Sequence, residues 1–255
     1  MANRLPKAEY VLKEKIDESP DTLRLVFAPV NERMAEFFPG MFIMIGGVRD
    51  SSGRQGGMAA PRAFSIASDP GSDEVEIIAI RKPMHGNATH ESHFVASKVG
   101  DRFVVEGPLS SGAAGRKFVI ELDPKRKMAL FAGGTGLAPF ASLLRKEDRV
   151  RSGTDISVLY SARRPEEILL RREIEDMARR NKLKFDVTIT RPDSSGQAWA
   201  GRTGRISAGM ISGSIPDVAE RDCYICGSRD FSNSIKAMLL SLGVPEDRIR
   251  MDAWG

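Results

Sequence analysis

Four consecutive positions, Arg62, Ala63, Phe64 and Ser65, bring a cation, an aromatic ring and a hydroxyl together. In a strand, side chains alternate between faces, so Arg62 and Phe64 point one way while Ser65 and the Ala63 backbone address another edge of a ligand. A guanidinium grips phosphate through paired hydrogen bonds in a fixed fork, and a phenyl ring suits a flat heteroaromatic ring. The stretch therefore reads as a seat for a flat, phosphate-bearing molecule, of which a flavin is one. Two glycine-containing stretches could receive phosphate as well. His85-Gly86-Asn87-Ala88-Thr89 precedes a predicted helix, where free N–H groups and the Thr89 hydroxyl form an anion site; a plain N-cap accounts for the same residues. Gly133-Gly134-Thr135-Gly136 follows an apolar strand and opens a helix, the place where backbone N–H groups approach a dinucleotide in a doubly wound sheet. It is not the Gly-x-Gly-x-x-Gly fingerprint, and a purely structural turn is the competing account.

The two cysteines, Cys223 and Cys226, stand in Cys-Tyr-Ile-Cys. That spacing matches redox and metal motifs. The pair lies in an apolar run that reads as a strand, where positions i and i+3 face opposite sides, and no second cysteine pair exists for zinc or an iron-sulfur cluster. No metal is expected.

The elements that must position these residues change character along the chain. Up to about residue 110 the runs are short and β-like, at Glu9 to Asp17, Thr22 to Ala28, Phe42 onward, 61–68 and Glu74 to Arg81, separated by Gly, Pro, Asp and Ser. This pattern predicts an antiparallel β-barrel, with one helix from His90 to Ser97. After Asp123 strands and helices alternate: strands at Met128–Phe131, Ile156–Tyr160, Lys184–Thr190, Asp222–Cys226 and Arg248–Asp252, and helices at Leu137–Arg149, Glu166–Arg180 and Phe231–Leu242. Such alternation predicts an α/β doubly wound parallel sheet. We expect two domains, residues 1–120 and 121–255, joined near residues 113–126.

Bulk properties agree with a globular chain: 255 residues, 41% hydrophobic and 28% charged, net charge +4. Residues 1–123 hold 15 Lys and Arg against 17 Asp and Glu, and residues 124–255 hold 23 against 17, giving −2 and +6. A basic half can steer an acidic partner or a phosphorylated cofactor, and equally can be an ordinary solvated surface. No lysine-rich block with interleaved aromatics points to nucleic acid. No apolar run approaches the roughly 18 residues of a membrane span, and the first residues lack a secretory apolar stretch, so a cytoplasmic location is expected.

In order, Arg62-Ala-Phe-Ser65, Gly86-x-x-Thr89, Gly107-Pro108, Gly133-Gly-Thr-Gly-x-Ala-Pro139, Tyr160-x-x-Arg163, Trp199-x-Gly-Arg-x-Gly-Arg205 and Cys226-Gly227 resemble the ferredoxin-NADP reductase family over nearly the whole chain. Pro39-Gly40-Met41-Phe42 and Gly243-Val-Pro-Glu-Asp-Arg-Ile also look like segments of that family. The resemblance implies a barrel binding FAD, a second domain binding NADPH or NADH, and hydride transfer between them. It implies that Arg62 grips the flavin pyrophosphate, with Gly86, Asn87, Ala88 and Thr89 presenting N–H groups to it. Ala63, Phe64 and Ile80 would line the cofactor, Phe64 lying against the isoalloxazine, and Ser65 would hydrogen-bond near its N5.

On the other side it implies Thr135 and Gly136 at the nicotinamide nucleotide, Cys226 beside the carbon that gives up hydride, and Trp254 over the opposite flavin face. Ser65, Cys226 and Trp254 are thus the expected catalytic set; simple burial of the cysteine and simple packing of the tryptophan are the plainer readings. Arg191 and Arg205 lie where NADPH-using members place cations for the 2′-phosphate, which favours NADP(H). Arg163 either assists or pairs with Glu166 or Glu167. The chain departs from the family pattern at Phe64 (commonly Tyr), in a longer stretch from Thr89 to Asp101, at Ser228-Arg229 (commonly prolines) and at Asp252 (commonly Glu). The expected activity is electron transfer from NADPH through FAD to a small acidic ferredoxin or flavodoxin. A free flavin, quinone or dioxygen acceptor, or a non-catalytic electron-transfer subunit of a larger complex, are the alternatives.

Overall fold

The computed structural model describes residues 7–49, 55–56, 61–81, 91–111, 118–194 and 196–254. The first sheet contains β1 (Lys7–Ser19), β2 (Thr22–Pro29), β3 (Phe42–Arg49), β4 (Gln55–Gly56), β5 (Arg62–Ser65), β6 (Val75–Ile80) and β7 (Arg102–Leu109). They pair antiparallel in the order β4-β3-β7-β1-β2-β6, with β5 paired to the amino-terminal half of β3, Phe42 to Ile45, and β4 to its carboxyl-terminal end. The expected barrel is thus a curled, open antiparallel sheet, a half-barrel. Alternation sets its inner face: Tyr10 and Leu12 on β1 and Leu23, Leu25 and Phe27 on β2 are buried, and the register sets Leu12 opposite Phe27 and Leu25 opposite Ile77. A short helix, α1 (Glu91–Ala96), inserts Phe94 into this core, edge-on to Phe27 and close to Phe103.

The second sheet is parallel throughout: β8 (Lys127–Gly133), β9 (Asp155–Ala162), β10 (Leu183–Ile189), β11 (Arg202–Thr203), β12 (Asp222–Ser228) and β13 (Ile249–Trp254), in the order β11-β10-β9-β8-β12-β13. Helices α2 (Ala138–Val150) and α3 (Arg171–Arg180) cover one face; α4 (Ala208–Ser214) and α5 (Arg229–Ser241) cover the other. Alternate residues of β8 divide accordingly, Met128, Leu130 and Ala132 toward α2 and α3, Ala129 and Phe131 toward α4 and α5. A strand buried on both faces reads as a continuous apolar run, which is why β8 is legible in the sequence.

Two elements differ from expectation. The helix expected from Glu166 begins only at Arg171, after a single 3-10 turn at Pro165–Glu167 and an extended Ile168. Leu170 caps it in the left-handed region at φ 51°. Glu167 is held back by Arg163 and Arg164 (both Nε contacts 2.7 Å), and the Leu170 N–H goes to Glu18 of β1, so the chain there serves the first sheet instead of a helix. Helix α4 was not expected, because Ala-Gly-Met-Ile-Ser-Gly-Ser carries almost no apolar period; its one sequence signal is Ser207, whose hydroxyl accepts the Met210 N–H at 3.2 Å.

The two sheets share a core. Ala67 and Ile78 of the first sheet's segment, with Phe118 and Ile120 of the connection, pack in the cluster on the α2/α3 face. That face is the one turned toward the half-barrel.

Candidate active site

The order of the parallel sheet reverses at β8, whose neighbours are β9 and β12, so a crevice opens between the carboxyl ends of β8 and β12. The glycine stretch sits there as a 3-10 turn, Gly134–Leu137, running directly into α2 with Pro139 in the helix's first turn. Its glycines have separate reasons. A Cβ on Gly136 would come within 2.6 Å of the Cys226 carbonyl carbon and 3.0 Å of the Gly227 nitrogen, so only glycine lets the turn close onto the end of β12. Gly134, at φ +55°, faces open space with nothing within 4 Å of an added Cβ. Its exposed backbone is the part of the turn free to meet a ligand. Phe231 of α5 lies beneath both Gly133 and Gly227, where an added Cβ would meet its ring at 3.1 and 2.7 Å. The turn also contacts β6 of the first sheet, whose Ile78 shares a buried cluster with Leu137 of the turn.

Cys226 is fully buried on β12 and faces the α2/α3 side; Cys223 faces the α4/α5 side. The Cys-x-x-Cys spacing therefore puts the two thiols on opposite faces of the sheet, unable to pair. Burial pushes the Cys226 thiol well up, and the Asp252 carboxylate beside it adds to this, so the sulfur is a neutral S–H. Burial likewise pushes Cys223 up to about 12. On β13 Asp252 is in register with Cys226 and Trp254 with Ser228. The Ser111 hydroxyl, from the segment after β7, donates to Asp252 Oδ1 at 2.7 Å. Burial raises the Asp252 carboxyl above its ordinary value, and the Ser111 bond only partly offsets this. Trp254 is half-buried against the α2/α3 cluster.

In the first sheet, Arg62, Ala63, Phe64 and Ser65 form β5, in register with Ile45, Met44, Ile43 and Phe42. Arg62 and Ala63 are exposed, Phe64 and Ser65 half-buried. The Phe64 ring stands edge-on to Phe94 at 5.4 Å, so one edge is anchored in the core. Gly86, Asn87, Ala88 and Thr89 lie outside the described residues, as does most of the Arg49 to Ala60 loop. Thr135 is half-buried in the glycine turn.

The arginines divide sharply. Arg163 is committed to Glu167 (2.7 Å) and to Asp21 of the first sheet (3.1 Å). Arg191 and Arg205 are exposed, and neither guanidinium has a hydrogen bond or ion pair with a described residue. They are brought together by backbone: the Gly204 N–H donates to Ile189 at 2.9 Å and the Thr188 hydroxyl to the Gly204 carbonyl at 2.7 Å, beyond the carboxyl end of β10. Arg202, inside the Trp199 motif, and Arg229, noted only as a departure from the family pattern, carry no binding role in the sequence reading; both are exposed and without a partner among the described residues, at the ends of β11 and β12. Trp199 has a structural task, its Nε1 donating to the Arg202 carbonyl at 2.8 Å while Arg171 lies over its ring at 5.4 Å.

The model of the oxidoreductase NAD-binding domain family matches residues 130–237, the parallel-sheet half. A flavodoxin/ferredoxin–NADP reductase from Rhodobacter capsulatus is 27% identical over 262 residues, covering 96% of this chain and 89% of the relative. A ferredoxin NADP+ reductase structure from Neisseria gonorrhoeae superposes with TM-score 0.72 at 18% identity over 97% of this chain and 98% of that one. These matches support a place for this chain in the ferredoxin-NADP reductase family. The matches support an oxidoreductase with an NAD-binding domain, and the fold is also that of the FAD/NAD-binding domain of a Vibrio cholerae nitric oxide dioxygenase (TM-score 0.79, 21% identity, 97% and 98% covered). The chain is also similar to the glycine betaine monooxygenase reductase subunit of Chromohalobacter salexigens, 27% identical over 241 residues. The chain covers 62% of the length of that relative. Among the described residues no helix is long and apolar enough to cross a membrane.

Proposed function

We propose that this reductase takes hydride from NADPH onto FAD and passes the electrons to a small redox protein, with residues 1–120 holding the flavin and 121–255 the nucleotide. The observation that carries the reading is the meeting of the glycine turn with Cys226–Gly227 on one side and β6 of the half-barrel on the other. A nucleotide on the turn and a flavin on β5 would then face each other across one crevice. The residues present fit both groups: an Arg62 with no partner among the described residues for a pyrophosphate, an open Gly134 backbone for a second one, and Arg191 and Arg205, likewise without a partner among the described residues, for a ribose phosphate.

The bound flavin supplies the redox chemistry, accepting two electrons at once and releasing them singly. Ser65 offers a hydroxyl to the flavin N5 edge, stabilising charge that develops there. Phe64, anchored by Phe94, gives the ring system a rigid wall. The Cys226 thiol, neutral and buried, lines the nicotinamide position without competing as a nucleophile, since the thiolate is the reactive form. Trp254 would lie against the remaining face of the flavin and would have to give way for a nicotinamide to reach it. Arg191 and Arg205 select the phosphorylated nucleotide.

Anaerobic titration tests this directly: the purified protein is expected to be yellow and to bleach with NADPH at lower concentration than with NADH. Colourless protein that takes up no FAD overturns the reading. A second reading, a reductase component serving an oxygenase and using NADH, is favoured by the resemblance to the glycine betaine monooxygenase reductase subunit. Assay of NADPH and NADH against a panel of ferredoxins, flavodoxins, free flavin and quinone, with salt varied, separates the two; loss of rate with salt marks electrostatic docking of an acidic carrier.

A further inference from the structure

Arg145 lies two turns along α2 from the glycine turn and is largely buried. Its Nε and Nη2 donate to the two carboxylate oxygens of Glu173 on α3, at 2.6 and 3.0 Å. Its Nη1 donates across to the half-barrel, to Glu76 Oε1 on β6 at 2.7 Å and to the Ala67 carbonyl at 2.9 Å. The other Glu76 oxygen accepts from Arg24 on β2 at 3.3 Å, Arg24 Nε donates to Glu18 Oε2 on β1 at 3.0 Å, and Glu18 Oε1 accepts the Leu170 N–H at 2.7 Å. Leu170 caps the helix that carries Glu173.

The bonds therefore close a ring that leaves α3 at Leu170, crosses β1, β2 and β6, passes through α2 and returns to α3 at Glu173. A closed ring has no loose end, and any rocking of the half-barrel against the parallel sheet must break it at more than one place. A second brace runs beside it, Arg149 to Asp69, with Nη2 to Oδ1 at 3.0 Å. The bonds of Arg145 are charge-assisted and bidentate toward Glu173, the geometry that fixes direction as well as distance.

What the ring holds in place is specific. Ala67 follows Ser65 by two residues, so the carbonyl that Arg145 grips belongs to the exit of the flavin strand. Arg145 itself belongs to the helix that begins at the glycine turn. We propose that Arg145 is a positioning residue that sets the separation of the flavin strand from the nucleotide turn, so that donor and acceptor meet at a fixed distance without closure of one half on the other. This rests on the functional reading above. Its chemical warrant is that transfer over a short distance is steeply sensitive to misplacement, about 100-fold for an error near 1 Å.

Arg145→Met tests it, with Arg145→Lys as the conservative variant and Glu173→Gln as a milder break should Arg145→Met fail to fold. The first readout needs no cofactor: spin labels on Glu32→Cys and Lys184→Cys, both exposed positions, one in each half, report the spread of distances in the full-length apo chain, Cys223 and Cys226 being too buried to label. The second is a split between NADPH dissociation constant and the single-turnover rate of flavin reduction. Arg145→Met is expected to broaden the distance distribution, leave the NADPH constant within about threefold and slow flavin reduction about 10-fold or more, with Arg145→Lys recovering part of both. Glu173→Gln is expected to shift both readouts in the same direction by less. A lower melting temperature with unchanged distance spread and unchanged reduction rate would overturn the proposal and leave Arg145 a structural brace. Wild-type protein that binds no FAD or is reduced by neither nucleotide overturns the functional reading and the proposal together; normal wild-type reduction with an equally fast, folded variant overturns the proposal alone.

Discussion

At the amino end of the parallel sheet, Arg221 is buried and donates to Asp217 (2.7 Å), to Asp155 (2.8 Å) and to the Met128 carbonyl (3.1 Å). Around it Lys127 pairs with Asp217 and Glu220, Arg126 with Asp222, and Arg248 donates to the Glu220 carbonyl. At the carboxyl end of the same sheet Arg191, Arg202, Arg205 and Arg229 have no partner among the described residues. The arginines at the amino end are spent on the fold, whereas these four at the carboxyl end, unlike Arg163 and Arg164 after β9, are left in solvent on the side of the open glycine turn. Since a buried or crowded cation without a partner is costly, and an exposed one is not, the unpaired set persists only where water or a bound anion can satisfy it. The contrast supports, without reference to any relative, the proposal that anions bind at the carboxyl end.

The largest effect is expected from disturbing the crowded part of the carboxyl end. Gly136→Ala drives a methyl into the Cys226 peptide, which is backbone and cannot swing aside. We expect a loss near 3 kcal/mol, the upper part of the range for overpacking, read as a shifted urea midpoint. Gly134→Ala meets nothing and carries only the left-handed backbone cost of about 1 kcal/mol. Equal losses for the two would remove the distinction between a packed and an open glycine. Next comes Arg205→Ala. Removing one charge-assisted contact of about 2 kcal/mol should lower kcat/KM for NADPH about 30-fold and leave NADH within about threefold. Equal losses with both nucleotides would sink the 2′-phosphate assignment.

How far these residues could be read from sequence depended on the range of the physics involved. Arg62 to Ser65 and Gly133 to Gly136 are local: the residue types carry the chemistry, and a strand before them or a helix after them is visible as a change of period. The strands β8, β9 and β12 are legible as apolar runs. Arg145 was invisible, because nothing about an arginine in the middle of an amphipathic helix announces that its partners are Glu76 and Ala67 in another sheet and Glu173 in another helix. The late start of α3 was hidden for the same reason: Glu167 is drawn back by Arg163 and Arg164, and Leu170 is turned toward Glu18. The unpaired state of Arg202 and Arg229 is also a property of the fold, since sequence shows a charge but not what stands opposite it. Trp199 and Gly201 read as a family motif, and the structure adds a reason, the indole ring occupying the space a Gly201 side chain would need.

At the amino end, Arg221→Met is expected to cost about 1.5 kcal/mol, less than the loss of a fully buried pair because Asp155 and Asp217 remain partly exposed to water. Flavin reduction should be unchanged, since no residue of that end faces the crevice. A fall in reduction rate with unaltered stability would contradict the division of the sheet into a structural and a functional end.

The smallest effect is one of sign. Asp217 at the amino end is held well below its ordinary value, first by its hydrogen bond to Arg221 and, against the cost of burial, by Lys127. Asp252 at the carboxyl end is raised by burial. For Asp217 the folded chain has released a proton that the unfolded chain still holds across the window below the ordinary carboxylate pKa, so its stabilisation is present above that window and lost as pH falls through it. For Asp252 the folded chain keeps a proton that the unfolded chain has released, so stability falls as pH rises from the ordinary carboxylate value to the raised one and is level beyond it. Asp252→Asn should therefore flatten the decline on the high side of the ordinary carboxylate range and leave the acid limb unchanged, whereas Arg221→Met should flatten the acid limb alone. Urea midpoints from strongly acidic to neutral pH read both limbs; a steeper decline in Asp252→Asn would mean that the Asp252 carboxylate is favoured, not penalised, at the carboxyl end.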